Sequence, residues 1–348
     1  MRFNLFMRNK RARKRPLPFV SVCTPTFNRR PFFPSIIKAF EDQNYPKEKM
    51  EWVIVDDGSD PIEDLVKDIP QVKYHRYNEK LTLGKKRNIM HEVSTGSIIV
   101  YMDDDDYYPP ERVSHAVEML LQHPKALCAG SSEMLIYFKH IDALYNFGPY
   151  GPNHATAATF AFRRDLLKET RFNDEAALAE EKEFLKGYTV PIVQLEPKKT
   201  ILVFSHIHNT FDKRKLLENP NPKFVTKSSY SLDTLVKNQD IYKFFVEDID
   251  THLEDYSPGL PKFKPDVLEQ IEQLTEERLK ANMPVISPKR SSRQKPSRIT
   301  MQQQGKPPIE LNDDDVLSLL QTQHKKINEL TQLLEEAYEQ IETLKEKQ

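Results

Sequence analysis

Cysteine is scarce in this 348-residue chain, with only Cys23 and Cys128. Both sit inside apolar runs, so they read as reduced core residues, and no disulfide framework or cysteine metal cage can be assembled. No apolar run approaches the roughly 20 residues that span a bilayer. The N-terminus has no continuous apolar core of the kind a signal peptide carries, and no Asn-x-Ser/Thr sequon occurs. The expectation is a soluble, cytoplasmic chain. Net charge is nearly absent as well, −1 at pH 7, so bulk charge gives no reason to expect a nucleic-acid partner.

What apolar content there is, 38%, is unevenly spread. Residues 17–210 hold most of the strand-like runs and can build a core. Residues 1–16 form a basic arm that reads as a disordered leader. Its alternatives are peripheral contact with an anionic membrane or a nuclear signal. Residues 211–281 carry polar helical patches. Residues 282–310 are rich in Pro, Ser, Lys, Arg and Gln and form a flexible linker. In 311–348, Leu320, Ile327, Leu334 and Ile341 recur every seven positions, with Val316, Leu330, Ala337 and Leu344 beside them and one break at Gln323. That pattern predicts a coiled coil, hence a homo-oligomer; one amphipathic helix folded onto the body is the alternative.

Within 17–125, strands are expected at 19–24, 51–55, 72–77 and 97–102. Helices alternate with them at 31–42, 62–67, 84–93 and 109–122. This spacing argues for a doubly wound, mostly parallel sheet. Residues 126–210 are less regular, with strands at 133–138 and 200–204 and a short helix at 180–188. They are expected to form the acceptor half.

The strongest single feature is the fourth strand, which ends in Asp103, Asp104, Asp105 and Asp106 with no neutralising charge beside them. Taken alone, such a run is more often a solvated loop. Its place at the end of a buried strand changes the reading, because open α/β sheets bind ligands there. Packed carboxylates repel. A hard divalent ion takes oxygen ligands from one or two of them plus substrate phosphates. Two further strand ends carry polar groups, Pro25-Thr26-Phe27-Asn28 and Asp56-Asp57-Gly58-Ser59. A carboxylate beside a small residue suits a base or ribose, and Asp57 with Gly58 fits.

Together these motifs, with Gly84-Lys85-Lys86-Arg87-Asn88 between them, resemble the family 2 glycosyltransferases of GT-A fold over about residues 17–210. The resemblance implies an α/β, Rossmann-like, mostly parallel sheet flanked by helices. It implies transfer of a sugar from a UDP- or GDP-sugar to a hydroxyl of a glycan, lipid or protein acceptor, with inversion and with Mn²⁺ or Mg²⁺ as cofactor. Residue by residue, Pro25, Thr26 and Phe27 would line the nucleotide pocket, Asp57 would bind the base, and Arg87 would lie near the ribose or phosphates. Asp103, Asp104 and Asp105 stand where the family has Asp-x-Asp. Asp105 is the expected direct metal ligand, with Asp103 assisting, Asp104 near the ribose and Asp106 facing the sugar. His206 would complete the metal site. Glu180 and Glu181 match the family's acidic pair, with Glu181 as the general base, although that pair is more often Glu-Asp.

Two other functions compete. A sugar nucleotidyltransferase normally needs a Gly-rich phosphate loop after the first strand. Here Pro25-Thr26-Phe27-Asn28 stands there, and the chain has nine glycines in all. The second is an inactive GT-A scaffold oligomerised through its C-terminal helix.

Overall fold

The structure, a computed structural model, describes residues 16–178, 181–218 and 220–282, the stretches 299–301 and 309–311, and positions 322 and 326. The basic arm up to residue 15, Glu180 and nearly all of the expected coiled coil lie outside the described residues. The chain divides into two units, 1–283 and 284–348. In the second, Ile299–Met301 pairs antiparallel with Ile309–Leu311. All that follows concerns the first.

The nucleotide-binding half alternates β1 (Val20–Thr26), α1 (Phe33–Glu41), β2 (Met50–Asp56), α2 (Glu63–Val66), β3 (Val72–Arg76), α3 (Leu83–Val93), β4 (Ile98–Tyr101) and α4 (Arg112–Gln122). Then come β5 (Cys128–Gly130), β6 (Met134–Phe138), β7 (Ala143–Phe147), β8 (Ala161–Arg163), α5 (Glu181–Phe184), β9 (Ile192–Gln194), β10 (Leu202–Ser205) and β11 (Val225–Lys227). The extension contributes α6 (Leu232–Leu235), α7 (Gln239–Lys243), α8 (Ile249–Glu254) and α9 (Pro265–Asn282).

The main sheet has seven strands in the order β3-β2-β1-β4-β8-β5-β9. β1, β2, β3 and β4 are mutually parallel, and the short β8 runs antiparallel between β4 and β5. The expected mostly parallel α/β sheet is therefore present. β1 and β2 are buried at every position, which is why they read as apolar runs without clean alternation. Successive side chains still part to opposite faces. Val20, Val22, Trp52, Ile54 and Val100 pack under α1 and α4, whereas Cys23, Val53, Val55, Ile99 and Tyr101 pack under α3. Cys23 and Cys128 are buried and free. Trp52 stacks on Phe40 at 4.5 Å and donates through Nε1 to Thr24 Oγ1 at 2.9 Å.

A second sheet, β10-β6-β7-β11, closes one side. Backbone bonds between Tyr107 and Leu202, at 2.9 and 3.0 Å, pin the acidic loop to β10. Phe204 of β10 stacks on Phe245 at 4.0 Å, which anchors the helical extension to the same strand.

At the opposite, N-terminal end of the strands, Glu51 is 4% exposed. It accepts hydrogen bonds from Ser21 and Thr95 and pairs with Lys73. Burial works to raise its carboxyl, but the Lys73, Ser21 and Thr95 contacts outweigh that and hold it at about 2. A depressed carboxyl adds stability that is full above its unfolded value and is lost as pH falls through the folded one. Glu51→Gln is expected to remove about 3 kcal/mol at pH 7 and to flatten the stability profile between pH 4.5 and about 2. Urea melts of both proteins at pH 7 and pH 3 check this; equal differences at the two pH values would contradict it.

Candidate active site

Strand order places the site. The chain runs from β1 outward to β3 and then crosses back to β4 on the other side of β1. The crevice at such a switch point opens beyond the carboxyl ends of the strands. The ends of β1 and β4 lie side by side there, with Cys23 in register with Tyr101. A cavity of about 280 Å³ occupies this position, lined by Phe27, Arg29, Lys86, Asp104, Asp105 and Lys264 among others.

The β2 end closes directly onto the β1 end. A Cβ on Gly58 would come within 2.6 Å of the Asn28 backbone nitrogen, so only glycine fits that approach. Asn28 has a left-handed φ of 52°, and its Oδ1 accepts from the Asp60 backbone at 3.1 Å. Asp56 is structural, accepting from Gly58 N, Ile62 N and Tyr74 Oη at 2.7–3.1 Å. Asp57 is buried with both carboxylate oxygens engaged, one by Lys86 at 2.8 Å and one by Leu81 N at 2.5 Å. Through those partners it shapes the cavity wall. Pro25 and Phe27 line the cavity, and Lys80 and Lys86 lie over the Phe27 ring at 5.4 and 5.8 Å. Thr26 is buried beside them.

The four aspartates diverge. Asp103 turns to Arg87, with 3.7 Å between their charged atoms; the Arg87 guanidinium lies over the Tyr101 ring at 4.3 Å. Asp104 lies 4.0 Å from Arg29 Nε, and Asp105 lies 3.5 Å from it. Asp106 faces the other way and accepts from Phe204 N at 3.1 Å. Burial raises Asp104 to about 6, reinforced by the neighbouring Asp105 and opposed by Arg29. Burial also works against ionisation of Asp105, but the Arg29 guanidinium beside it favours the carboxylate and lowers its titration. Asp106 is raised well above that range by burial and by Asp105.

His206, delivered by the end of β10, meets Asp105. Burial lowers its imidazole to about 4, so it is neutral at pH 7. Its protonated nitrogen follows from Asn209. The backbone N–H of His206 donates to Asn209 Oδ1 at 2.8 Å, so the Asn209 amide nitrogen is the group facing His206 Nε2, also at 2.8 Å. An amide nitrogen only donates, so Nε2 carries the lone pair and the ring proton sits on Nδ1. Asp105 Oδ2 lies 3.5 Å from Nε2, too far for a good hydrogen bond. The one Nε2 lone pair accepts from the Asn209 amide here, so a cation held between Nε2 and Asp105 would take the place of that hydrogen bond.

That donor pair, a neutral imidazole and an ionised carboxylate, fits Mn²⁺ with phosphate oxygens completing the shell, whereas Mg²⁺ would draw on the carboxylate and phosphate oxygens alone. Among the described residues, no group of three or more His, Cys, Asp and Glu side chains is gathered as a metal cage. Of the three expected ligands, Asp105 and His206 meet and Asp103 pairs with Arg87 instead.

Glu181 opens α5. The helix has only four residues and is held by Phe184, which stacks on Phe172 at 4.1 Å; burying one such ring contributes about 2 kcal/mol. The preceding loop docks on α3. Asn88 Nδ2 donates to Phe172 O at 2.9 Å, and a Cβ on Gly84 would reach within 2.0 Å of Asn173 O. This explains the Gly84 and Asn88 positions as supports for the loop that presents Glu181. Leu178 lines the cavity, and Glu181 follows three residues beyond, where its charge acts on Tyr188. Thr159 is fully buried, donating to Thr156 O and accepting from Ser131 N, so it pins the core.

Arg29 and Lys264 line the cavity but were not singled out in the sequence reading. Arg29 is 2% exposed, and it donates to His208 O at 2.8 Å and to Gly259 O at 3.1 Å. Its position directly after the first strand motif was the available signal. Lys264 comes from the extension, far from any motif. Burial and Arg29 push its ammonium down to about 7, against the pull of Asp104 and Asp105.

Residues 21–136 match the model of glycosyl transferase family 2. The chain is similar to the poly(ribitol-phosphate) beta-N-acetylglucosaminyltransferase TarS of Staphylococcus aureus, 27% identical over 30% of this chain and 19% of that protein. It is also similar to the GalNAc(5)-diNAcBac-PP-undecaprenol beta-1,3-glucosyltransferase of Campylobacter jejuni, 30% identical over 30% of this chain and 34% of that one. A crystal structure of S. aureus TarS 1–349 in complex with UDP-GlcNAc aligns with a TM-score of 0.43 and 22% identity, covering 54% of this chain and 58% of that one. The chain therefore spans about a fifth of the length of the first of these relatives. The three strand-end motifs and the Gly84–Asn88 segment all fall inside residues 21–136, the stretch that matches the glycosyl transferase family 2 model.

Proposed function

We propose that the chain transfers a glycosyl group from a nucleotide diphosphate sugar to an acceptor hydroxyl, with a divalent metal and with inversion. The observation that carries this reading is the pair Asp105 and His206, 3.5 Å apart, with Asp105 lining the cavity at the ends of β1 and β4 beside Arg29, Lys86 and Lys264. Pro25 and Phe27 form the wall for the nucleotide, and Asp57 orders Lys86 and Leu81 beside it. Arg87 holds Asp103, and Asp104 lies at the ribose side. Asp105 and His206 would hold the metal, which when bound would stabilise charge developing on the leaving diphosphate.

In a single displacement the acceptor oxygen bonds to the anomeric carbon as the bond to the diphosphate oxygen breaks. Glu181 takes the acceptor proton, the role a general base fills within hydrogen-bond reach. Glu180, immediately before it in sequence, belongs to the same acidic pair. The two relatives are named for acting on a poly(ribitol-phosphate) and on an undecaprenol-linked glycan, which favours a hydroxyl of a glycan or a lipid-linked glycan here. Among the described residues no helix is long and apolar enough to cross a membrane. A cytoplasmic location with the basic arm at an anionic membrane surface fits such an acceptor.

Thermal melts with a panel of UDP- and GDP-sugars, with and without Mn²⁺, test the reading. One donor is expected to raise the melting temperature by about 5 °C at saturation, and only with the metal present. A folded protein stabilised by no member of the panel contradicts it.

A further inference from the structure

Four cationic side chains line the cavity: Arg29, Lys80, Lys86 and Lys264. Three already have strong partners. Arg29 donates to two backbone carbonyls and faces Asp105, Lys80 pairs with Asp266, and Lys86 pairs with Asp57. Among the described residues the Lys264 ammonium makes no hydrogen bond or ion pair. Asp104 and Asp105 act on it only through their charge. It is half-buried, so its desolvation is only partly offset.

Its position is tightly determined. Lys264 N donates to Pro261 O at 2.8 Å, and Lys264 O accepts from Val267 N at 3.1 Å as α9 begins. The flanking segment is tied to both walls of the cavity. On the β1 side, Asn28 Nδ2 donates to Pro258 O at 2.9 Å, Arg29 Nη1 donates to Gly259 O, and Tyr256 Oη donates to Asp60 at 2.9 Å. On the α5 side, Gln270 accepts from Ala177 N at 2.9 Å and donates to Glu175 O at 2.9 Å. Val267 and Ile271 of α9 complete the lining. The segment is thus part of the cavity, although it starts more than a hundred residues beyond the family-matched stretch.

We infer that Lys264, supplied by the C-terminal extension, binds the diphosphate of the donor and holds it as the leaving group. This rests on the donor-site reading above. The ligand chemistry follows from the side chain. An ammonium is a compact charge with three donors, and phosphate oxygens are its strong partners. A sugar hydroxyl would leave the charge uncompensated. A diphosphate lying between the Asp105–His206 pair and Lys264 offers oxygens to both, and the helical extension then serves as a wall without which the donor site is incomplete.

The experiment is calorimetric titration of UDP and GDP, and of the corresponding monophosphates, into the full chain with Mn²⁺. Wild type, Lys264→Met and Lys264→Arg are compared, with melting temperatures as the folding control. Lys264→Met is expected to weaken the preferred diphosphate by about tenfold or more, the scale of a lost charge-assisted contact. The monophosphate should be affected less, and Lys264→Arg should restore most of the loss. Diphosphate affinity unchanged in Lys264→Met, or an equal loss for monophosphate and diphosphate, overturns the assignment while leaving the donor site standing. A wild-type chain that binds neither diphosphate overturns the donor-site reading, and this inference with it.

Discussion

Asp105→Ala is expected to abolish transfer, lowering kcat/KM by about 10³-fold or more, and to erase the Mn²⁺ dependence of donor binding. The magnitude follows from two losses at one position. Charge stabilisation of a leaving phosphoryl group by a bound metal is worth several kcal/mol, and each 1.36 kcal/mol is about tenfold in rate. Arg29, 3.5 Å from Asp105 and only 2% exposed, would also lose its nearest counter-charge. Part of the effect could therefore be stability, since an unpaired buried charge costs several kcal/mol. Asp105→Asn separates the two: it keeps the volume and a polar contact for Arg29 but removes the anion. Activity within about tenfold of wild type in Asp105→Asn, with Mn²⁺ still required, would assign the metal elsewhere.

The second large effect is at Glu181. Glu181→Gln is expected to lower kcat by about 10²–10⁴-fold, the usual contribution of a positioned base, with donor affinity unchanged. The expected split follows from the geometry. Glu181 is not among the described residues that line the cavity, so donor binding is not expected to need it. The amide keeps the shape and removes the proton acceptor. Steady-state kinetics over a range of donor and acceptor concentrations, with calorimetric donor binding, reads both quantities. Turnover at the wild-type rate would require a different base. A parallel loss of donor affinity would instead mean that α5 had shifted from its anchor at Phe184.

Much of the fold was legible because β1, β2 and β4 are buried on both faces and so appear as uninterrupted apolar runs. Their boundaries fall within two residues of those expected, as at Met50–Asp56. The acceptor half was less legible for a physical reason. β5, β8 and β9 are three residues each, too short for a period to declare itself. They are strands because they hydrogen-bond to neighbours already in place. The stretch at 155–163 shows no period either; it contains a helical turn and the antiparallel β8, wedged between β4 and β5.

The chain's linear order was enough to say that three polar strand ends meet, because a parallel sheet brings the carboxyl ends of its strands to one edge. Local pattern was also enough to single out the acidic loop, three of whose aspartates line the cavity. What it could not assign is which aspartate does what. Four successive residues in a loop point in different directions, and each direction is set by a partner distant in sequence: Arg87 for Asp103, Arg29 and His206 for Asp105, and the Phe204 backbone for Asp106. The entry of Lys264 into the cavity was likewise decided only by tertiary packing. Charges act through space over a few ångströms, and in this fold those ångströms join segments 160 residues apart in the chain, Asp104 and Lys264.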